Sequence, residues 1–249
     1  MENINLSLDL EPDFLGFLHA EVDPATKIEP ELLWNKVQKY QFLFESLPFV
    51  KQIAVCNSLA FGVVDNKSDI DLLVILEPKR FFTSRFIMTA LFQVFGIRRH
   101  AKKIAGRFCL SFFIADNKLD LNRFNLEQHD YYFYFWTRKL VFLFNNPVTV
   151  EDFKTANQVE SDFLIKFGFK KNKLAKFIES ILNMGCFDYL EAFMQKWQLS
   201  RARQKNALLG NPEGVFLEPG VLKFHVKDKR QELNKKFLTY LSVNNHLRK

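Results

Sequence analysis

The 249-residue sequence is short of several features that would place it in a special class. It has three cysteines, Cys56, Cys109 and Cys186, which lie far apart and show no paired spacing. This pattern argues against a disulfide framework or a zinc site and favours a reducing compartment. Its apolar runs fall well short of the roughly 20 residues that a membrane span needs. Residues 1–10 carry acids but no basic segment typical of a secretory signal. We therefore expect a soluble, cytoplasmic protein.

Phenylalanine and positive charge are what the sequence has in excess. The 29 phenylalanines are spread along the chain, which indicates core filling. The formal net charge is +7, and residues 201–249 hold 11 Lys/Arg against 4 Asp/Glu, whereas residues 1–50 hold 3 against 9. A basic C-terminal end predicts contact with nucleotide phosphates or with RNA. A solvated helix surface explains the same charge equally well.

Two carboxylates introduce a buried strand in the first third of the chain. An apolar run at residues 53–56 is followed by turn-forming residues and then by a second apolar run at residues 72–76. Both runs have strand length, so the pattern predicts strand, loop, strand. Asp69 and Asp71 are two residues apart, so their side chains project from the same face. The two negative charges repel each other, and a bound Mg²⁺ is the usual way to compensate them. The alternative is a purely structural role, in which the two residues lie in a turn and their carboxylates are solvated.

This stretch resembles the signature of the nucleotidyltransferase superfamily, which includes DNA polymerase beta, the CCA-adding enzymes and small antitoxin-type enzymes. That signature is an apolar strand, then Gly-Ser, then a spacer, then Asp-apolar-Asp on the next strand. Here Asn57-Ser58 stands at the Gly-Ser position, and Gly62 falls on the second glycine of the small enzymes. Residues 68–72, beginning with Ser68, reproduce the Ser-Asp-Ile-Asp-Leu ending. The resemblance covers about residues 50–115.

The sequence departs from that signature at two positions in the loop. Asn57 replaces the first glycine, and Asn tolerates a positive φ better than most residues. Phe61 replaces an arginine, which removes a possible phosphate contact.

A third carboxylate, which the resemblance implies on the strand at residues 108–114, is not evident. The matching position is Ser111, a poor ligand for Mg²⁺. Asp120 would supply the acid if the chain folds back after that strand. Asp116 and Asp130 have the context of turn or cap residues.

The remaining periodicity predicts mostly helices. The N-terminal residues predict irregular structure or a short helix around residues 13–19. Helical spacing predicts longer helices over residues 30–47, 80–95, 127–144, 151–166 and 172–208, with an interruption at Gly185. We therefore predict an α+β fold: a nucleotidyltransferase-like mixed sheet flanked by helices at residues 27–125, then a helical C-terminal portion at residues 126–249.

Three further groups of residues leave two interpretations open. The basic cluster at residues 98–103 predicts either a triphosphate contact or a solvated loop. The aromatic run at residues 131–136 predicts a buried helix or, less directly, a base-stacking platform. Near the C-terminus, a polar group favours either a site or a charged surface; its members are Lys223, His225, Asp228 and Arg230.

The resemblance implies a magnesium-dependent transfer of a nucleoside monophosphate from an NTP to a hydroxyl acceptor. Asp69 and Asp71 would be the catalytic and metal-binding residues, and the nucleotide-binding residues would be Asn57, Ser58, Gly62 and Ser68. The acceptor, whether a small molecule, RNA or protein, is not specified. The alternative is a nucleotide-binding or interaction module on the same fold with weak or no transfer activity.

Overall fold

The computed structural model describes residues 10–100, 102–126 and 130–247. The first nine residues, Ala101 of the basic cluster and the first residues of the helix predicted at 127–144 lie outside these ranges. One seven-stranded mixed sheet organises the fold, with strand order β5-β4-β1-β2-β3-β7-β6. Its strands are β1 (Val50–Cys56), β2 (Ile70–Leu76), β3 (Phe108–Ala115), β4 (Val141–Phe144), β5 (Leu164–Phe169), β6 (Val215–Glu218) and β7 (Val221–Phe224).

Helices cover both faces of this sheet. They are α1 (Glu11–Ala20), α2 (Pro30–Lys39), α3 (Gln41–Glu45), α4 (Asn57–Ala60), α5 (Phe81–Val94), α6 (Tyr131–Arg138), α7 (Pro147–Asn157), α8 (Lys173–Leu182), α9 (Asp188–Leu208) and α10 (Arg230–Leu247). The predicted α+β class is confirmed at this level. No helix in the described ranges is long and apolar enough to cross a membrane.

The central strands have the pairing that positions the site. Strands β1 and β2 are antiparallel, and Cys56 lies opposite Asp71. Strands β2 and β3 are parallel, with Asp71 beside Cys109. Strand β7 then adds antiparallel to β3, with Lys223 opposite Phe112. The N-terminal end of β2 therefore meets the start of β3 and the end of β1.

Two hydrophobic cores form, one on each side of the sheet. We call one side the closed face; on β2 it takes Ile70, Leu72, Val74 and Leu76, and α2, α5 and α9 contribute to it. We call the other side the site face; on β2 it takes Leu73 and Ile75, and α1, α6, α7 and α10 contribute to it. By strand alternation, Asp69 and Asp71 belong to the site face.

The C-terminal portion is not only helical, which corrects the prediction for residues 126–249. The helix predicted over 127–144 is α6 followed by β4, and the one predicted over 151–166 is the end of α7 followed by β5. Four apolar residues, Val141 to Phe144, are all buried in β4. A run that short cannot be assigned to helix or strand by periodicity alone. Four of the seven strands therefore come from this half of the chain.

The long helix predicted over 172–208 is divided where Gly185 stands. Helix α8 ends at Leu182, a 3-10 turn follows, and α9 begins at Asp188. The fully buried Arg80 closes this junction, since its Nε donates to the carbonyl of Leu182 at 2.7 Å and its guanidinium pairs with Asp188 at 2.6 Å. Carbonyl groups at a helix end need such donors.

Candidate functional site

The sheet brings two carboxylates and one thiol together at the start of β2. Ligand atoms of Asp69, Asp71 and Cys109 all lie within 4.8 Å of one another. Asp69 precedes β2, Asp71 is its second residue, and Cys109 is the neighbour of Asp71 on β3. The predicted pairing of the two aspartates on one face is therefore what the strand geometry produces.

The two carboxylates repel each other in a partly buried position. Burial and the charge of Asp71 raise the pKa of Asp69 to about 6, although Arg99 acts in the opposite direction. Nη1 of Arg99 lies 2.8 Å from Oδ2 of Asp69. Since the pKa stays raised despite this ion pair, Arg99 offsets the repulsion and the desolvation only in part.

Asn57 connects Asp71 with helix α6. Its Nδ2 donates to Oδ2 of Asp71 at 2.8 Å, and its Oδ1 accepts from the hydroxyl of Tyr132 at 3.3 Å. Burial and the nearby Asp71 raise the pKa of Tyr132, so the phenol stays protonated and donates. The φ of Asn57 is +56°, a conformation that Asn tolerates better than most residues.

The other predicted nucleotide-binding residues lie in two turns. Ser58 is in the single turn of α4, and its carbonyl accepts from the N–H of Val63 at 2.9 Å. Gly62 follows this turn with φ +73°. The hydroxyl of Ser68 donates to Oδ1 of Asp65 at 2.8 Å and so belongs to the turn that leads into β2.

The structure also places Phe61 of the loop and Arg99 of the basic cluster at residues 98–103. Phe61 is buried and packs edge-on against Phe14 and Tyr132, each with ring centroids 5.7 Å apart. Phe61 is therefore a core residue. Within the basic cluster, Arg99 reaches the carboxylate pair, so this part of the cluster is not simply a solvated loop.

Cys109, and not an acid, stands beside Asp71 on the third strand. A bulge at Leu110 and Ser111 shifts the register between Cys109 and Phe112, which sequence reasoning did not anticipate. Burial and the two aspartates raise the pKa of the Cys109 thiol to about 12. Asp120 is exposed and accepts a hydrogen bond from the N–H of Asn122, outside the cluster.

The other two acids have structural partners. Asp116 lies 3.8 Å from Nζ of Lys51. Asp130 is the N-cap of α6, where it accepts from the N–H of Phe133, and it also pairs with Arg230 at 2.6 Å. Within the described residues, the donor set at the site is thus two carboxylates and one protonated thiol.

Two of these three side chains, the carboxylates, are suitable ligands for a hard cation. Mg²⁺ is commonly held by one or two carboxylates, with waters and substrate phosphates completing its octahedron. Asp69 and Asp71 supply that pair. The protonated, soft sulfur of Cys109 is a poor ligand for Mg²⁺.

A pocket of about 260 Å³ lies on the same face, beside Asn57. All four members of the predicted C-terminal polar group line it, and so does part of the aromatic run of α6. The aromatic run is mainly core, since Tyr131, Phe133, Phe135 and Trp136 are buried. The side chains that line the pocket are Asn57, Phe112, Phe124, Tyr132, Phe133, Trp136, Lys223, His225, Lys227, Asp228, Lys229, Arg230 and Leu233.

Comparisons with known proteins give no family for this chain. No family model, curated protein or solved structure matches it significantly.

Proposed function

We propose that the chain is a magnesium-dependent nucleotidyltransferase that moves a nucleoside monophosphate from an NTP to a hydroxyl acceptor. The observation that carries the proposal is the pair of partly buried carboxylates of Asp69 and Asp71, whose repulsion Arg99 offsets only in part. A paired-carboxylate site that holds an incompletely compensated negative charge favours a divalent cation. The resemblance of residues 50–115 to the superfamily supports the same function.

The residues of the chain then have distinct roles. Asp69 and Asp71 hold Mg²⁺, which supplies charge stabilisation for the phosphates and the leaving pyrophosphate. Asn57 orients Asp71 through the 2.8 Å hydrogen bond and is held in turn by Tyr132. Arg99 is close enough to the pair to contact a phosphate once the cation takes over Asp69. Ser58 and Gly62 shape the loop beside them.

A second candidate is nucleotide binding without efficient transfer. One observation favours it: Cys109 stands next to Asp71 on β3, on the strand where the resemblance implies a third carboxylate. A protonated thiol does not serve as the base that deprotonates an attacking hydroxyl at neutral pH. RNA binding through the basic C-terminal end stays a prediction; several of its cations have acidic partners, such as Lys236 with Glu21 at 2.6 Å.

Pyrophosphate release tests transfer and separates the two candidates. The assay would supply Mg²⁺, each NTP, and acceptors that offer a tRNA end, an aminoglycoside hydroxyl or a peptide serine. We expect release from the wild type and none from Asp69→Asn/Asp71→Asn. Cys109→Asp places an acid beside Asp71 and should raise the rate at least about tenfold, less than the roughly 10²–10⁴-fold that a fully positioned base contributes.

Cys109→Ser is the matched control, because it changes the same atom without adding a charge. If Cys109→Ser accelerates release as much as Cys109→Asp, the third-carboxylate argument is wrong. If the wild type and Cys109→Asp bind Mg-NTP but release no pyrophosphate, binding without transfer becomes the function.

A further inference from the structure

Aromatic side chains form the walls of the pocket beside Asn57. Trp136 stacks on Phe112 with centroids 6.0 Å apart and an interplanar angle of 22°, and on Phe133 at 5.9 Å and 17°. Phe124 meets Phe112 edge-on at 5.6 Å. Walls of flat, rigid rings favour a planar apolar occupant. The volume of about 260 Å³ suits one or two rings.

The charged side chains in the pocket favour an anion. Four cations and one carboxylate line it within the part of the chain that the structure describes. Lys223 is the deepest cation: its side chain is 8% exposed, and its nearest acid, Asp228, lies 3.9 Å away and is already bound by Arg230 at 2.8 Å. Its Nζ also lies 5.4 Å from the ring centroids of Phe124 and Phe216, but ring faces compensate a buried ammonium less fully than a contacting anion would.

His225 adds an unpartnered polar atom at the same end. Its Nδ1 is buried and has no hydrogen-bond partner among the described residues. The imidazole packs edge-on against Phe112, with centroids 6.3 Å apart. A buried nitrogen of this kind is costly unless a ligand or water satisfies it.

The polar groups of the pocket are separated into two ends. Asn57 follows the end of β1, whereas Lys223 lies on β7, and β2 and β3 run between these strands. With neighbouring strands about 4.8 Å apart, the two backbones are on the order of 14 Å apart. The β7 end thus offers Lys223 and His225, and the β1 end offers an amide and a phenol next to Asp71.

We propose that this pocket is the acceptor subsite and that its occupant is a planar aromatic acid carrying a hydroxyl at the end remote from the acid. The acid lies against Lys223 and His225, the rings lie among Phe112, Phe133 and Trp136, and the hydroxyl lies at Asn57, beside the carboxylate pair. The inference rests on the proposed function, since it names the acceptor of that reaction.

In the transfer itself, the hydroxyl oxygen forms a bond to the α-phosphorus of the NTP. The bond from that phosphorus to pyrophosphate breaks, pyrophosphate leaves, and the hydroxyl proton passes to water. The product is the aryl ester of the nucleoside monophosphate.

Binding of 6-hydroxy-2-naphthoate to the full chain, without NTP or metal, tests the pocket by calorimetry. The matched neutral probe is 6-hydroxy-2-naphthamide, which has the same rings and hydroxyl. We expect the acid to bind at least about tenfold more tightly than the amide. Lys223→Met should remove this preference while leaving the amide affinity unchanged, which also shows that the variant is folded.

Lys235→Met is the control, because Lys235 is an exposed lysine of α10 that does not line the pocket. It should leave both affinities unchanged. Equal affinities for acid and amide, or an unchanged acid affinity in Lys223→Met, would overturn the inference.

Two separate measurements distinguish failure of this inference from failure of the proposed function. If the chain binds Mg-NTP through Asp69 and Asp71 but does not bind the naphthoate, only the acceptor assignment is wrong. If the naphthoate binds as described but no Mg-NTP binding occurs, the acceptor role is overturned together with the proposed function. With both present, mass spectrometry should find the naphthoate joined to one nucleoside monophosphate.

Discussion

The two faces of the central sheet are built from the same strands but differ in what they can do. On the closed face, β2 places Ile70, Leu72 and Val74, each at most 1% exposed, into a continuous apolar core. On the site face, the alternate positions begin with Asp69 and Asp71 and become apolar only at Leu73. Strand periodicity sends these two sets of residues to opposite sides.

Along β2, the residues of the closed face therefore serve stability, and the first residues of the site face serve the candidate site. The closed face contributes burial, at about 25 cal/mol per Å² of apolar surface. The site face gives up part of that burial at one end of β2, where two carboxylates lie close to the buried phenol of Tyr132. Substitutions on the two faces should therefore differ in their effect on stability, and four predictions test this, beginning with the largest expected effect.

Leu72→Ala and Asp71→Ala compare neighbours that face opposite sides. Leu72 is 1% exposed, so its truncation should lower the free energy of unfolding by about 2–5 kcal/mol. Asp71→Ala removes one of two repelling charges but also loses the hydrogen bond from Asn57, so these opposing effects should change stability by less than about 1 kcal/mol. Urea denaturation measures both. A larger loss for Asp71→Ala than for Leu72→Ala would break the distinction between the faces.

Lys223→Met tests the cationic end of the site face. Burial and nearby Arg230 lower the pKa of Lys223 from 10.5 to about 8, although Asp228 and Asp130 act in the opposite direction. Between these two values the unfolded state binds more protons, so the wild type should gain stability relative to Lys223→Met as the pH rises from 8 to 10.5. The expected gain is about 2 kcal/mol. Comparison with the variant isolates this lysine from the other groups of the protein that titrate over this pH range.

A flat difference between the two proteins over that pH range would contradict the burial of Lys223. Lys235→Met, at an exposed position on α10, should track the wild type throughout.

Asp69→Asn tests the carboxylate pair without metal. The pKa of Asp69 is about 6 in the folded state and 3.8 as an isolated side chain, so the folded state binds more protons between these values. The wild type should therefore lose stability as the pH rises from about 4 to 6, relative to Asp69→Asn. At pH 7 the variant should be about 1–2 kcal/mol more stable. The pKa of about 6 already includes the opposing effect of Arg99, and partial exposure of the pair to solvent reduces the remaining difference.

Thermal unfolding at pH 4, 6 and 7 measures this difference. The control is Asp162→Asn, because the side chain of Asp162 is 98% exposed. If Asp69→Asn is less stable than the wild type at pH 7, Arg99 compensates the pair fully and the case for a cation weakens.

Asn57 has two roles, a positive φ and a hydrogen bond to Asp71, and the variants Asn57→Gly and Asn57→Ala distinguish them. Glycine keeps the positive φ of +56° but removes the hydrogen bond to Asp71, whereas alanine loses both. Alanine should therefore be about 1 kcal/mol less stable than glycine. Both should weaken Mg-NTP binding to a similar extent, measured by calorimetry. Equal stability of the two variants would show that the backbone conformation costs nothing at this position.

The sequence predicted the parts of the fold that depend on local pattern. The strand at 108–114 and the break at Gly185 both appear, and of the two alternatives for residues 13–19 the short helix is the one that forms. The four outer strands of the sheet, β4 to β7, were missed. Runs of four to six residues carry too little periodicity to distinguish a strand from a helix turn.

In the candidate site, too, local features could be predicted from the sequence and features that depend on distant strands could not. Pairing of Asp69 with Asp71 follows from a two-residue spacing on one strand, and a positive φ at Asn57 follows from residue chemistry. Cys109 was missed because its position depends on the register between β2 and β3 and on the bulge at Ser111. The pocket depends on the approach of β7 to β3, which are more than 100 residues apart in the sequence.

The central claim is that the carboxylate pair on the site face binds a metal nucleotide. Calorimetry of NTP binding, with and without Mg²⁺, on the wild type and on Asp69→Asn/Asp71→Asn tests it most directly. We predict that the wild type binds an NTP only when Mg²⁺ is present and that the double variant, although folded, does not bind. Absence of binding to any NTP by the folded wild type, or equal binding by both proteins, would contradict the account.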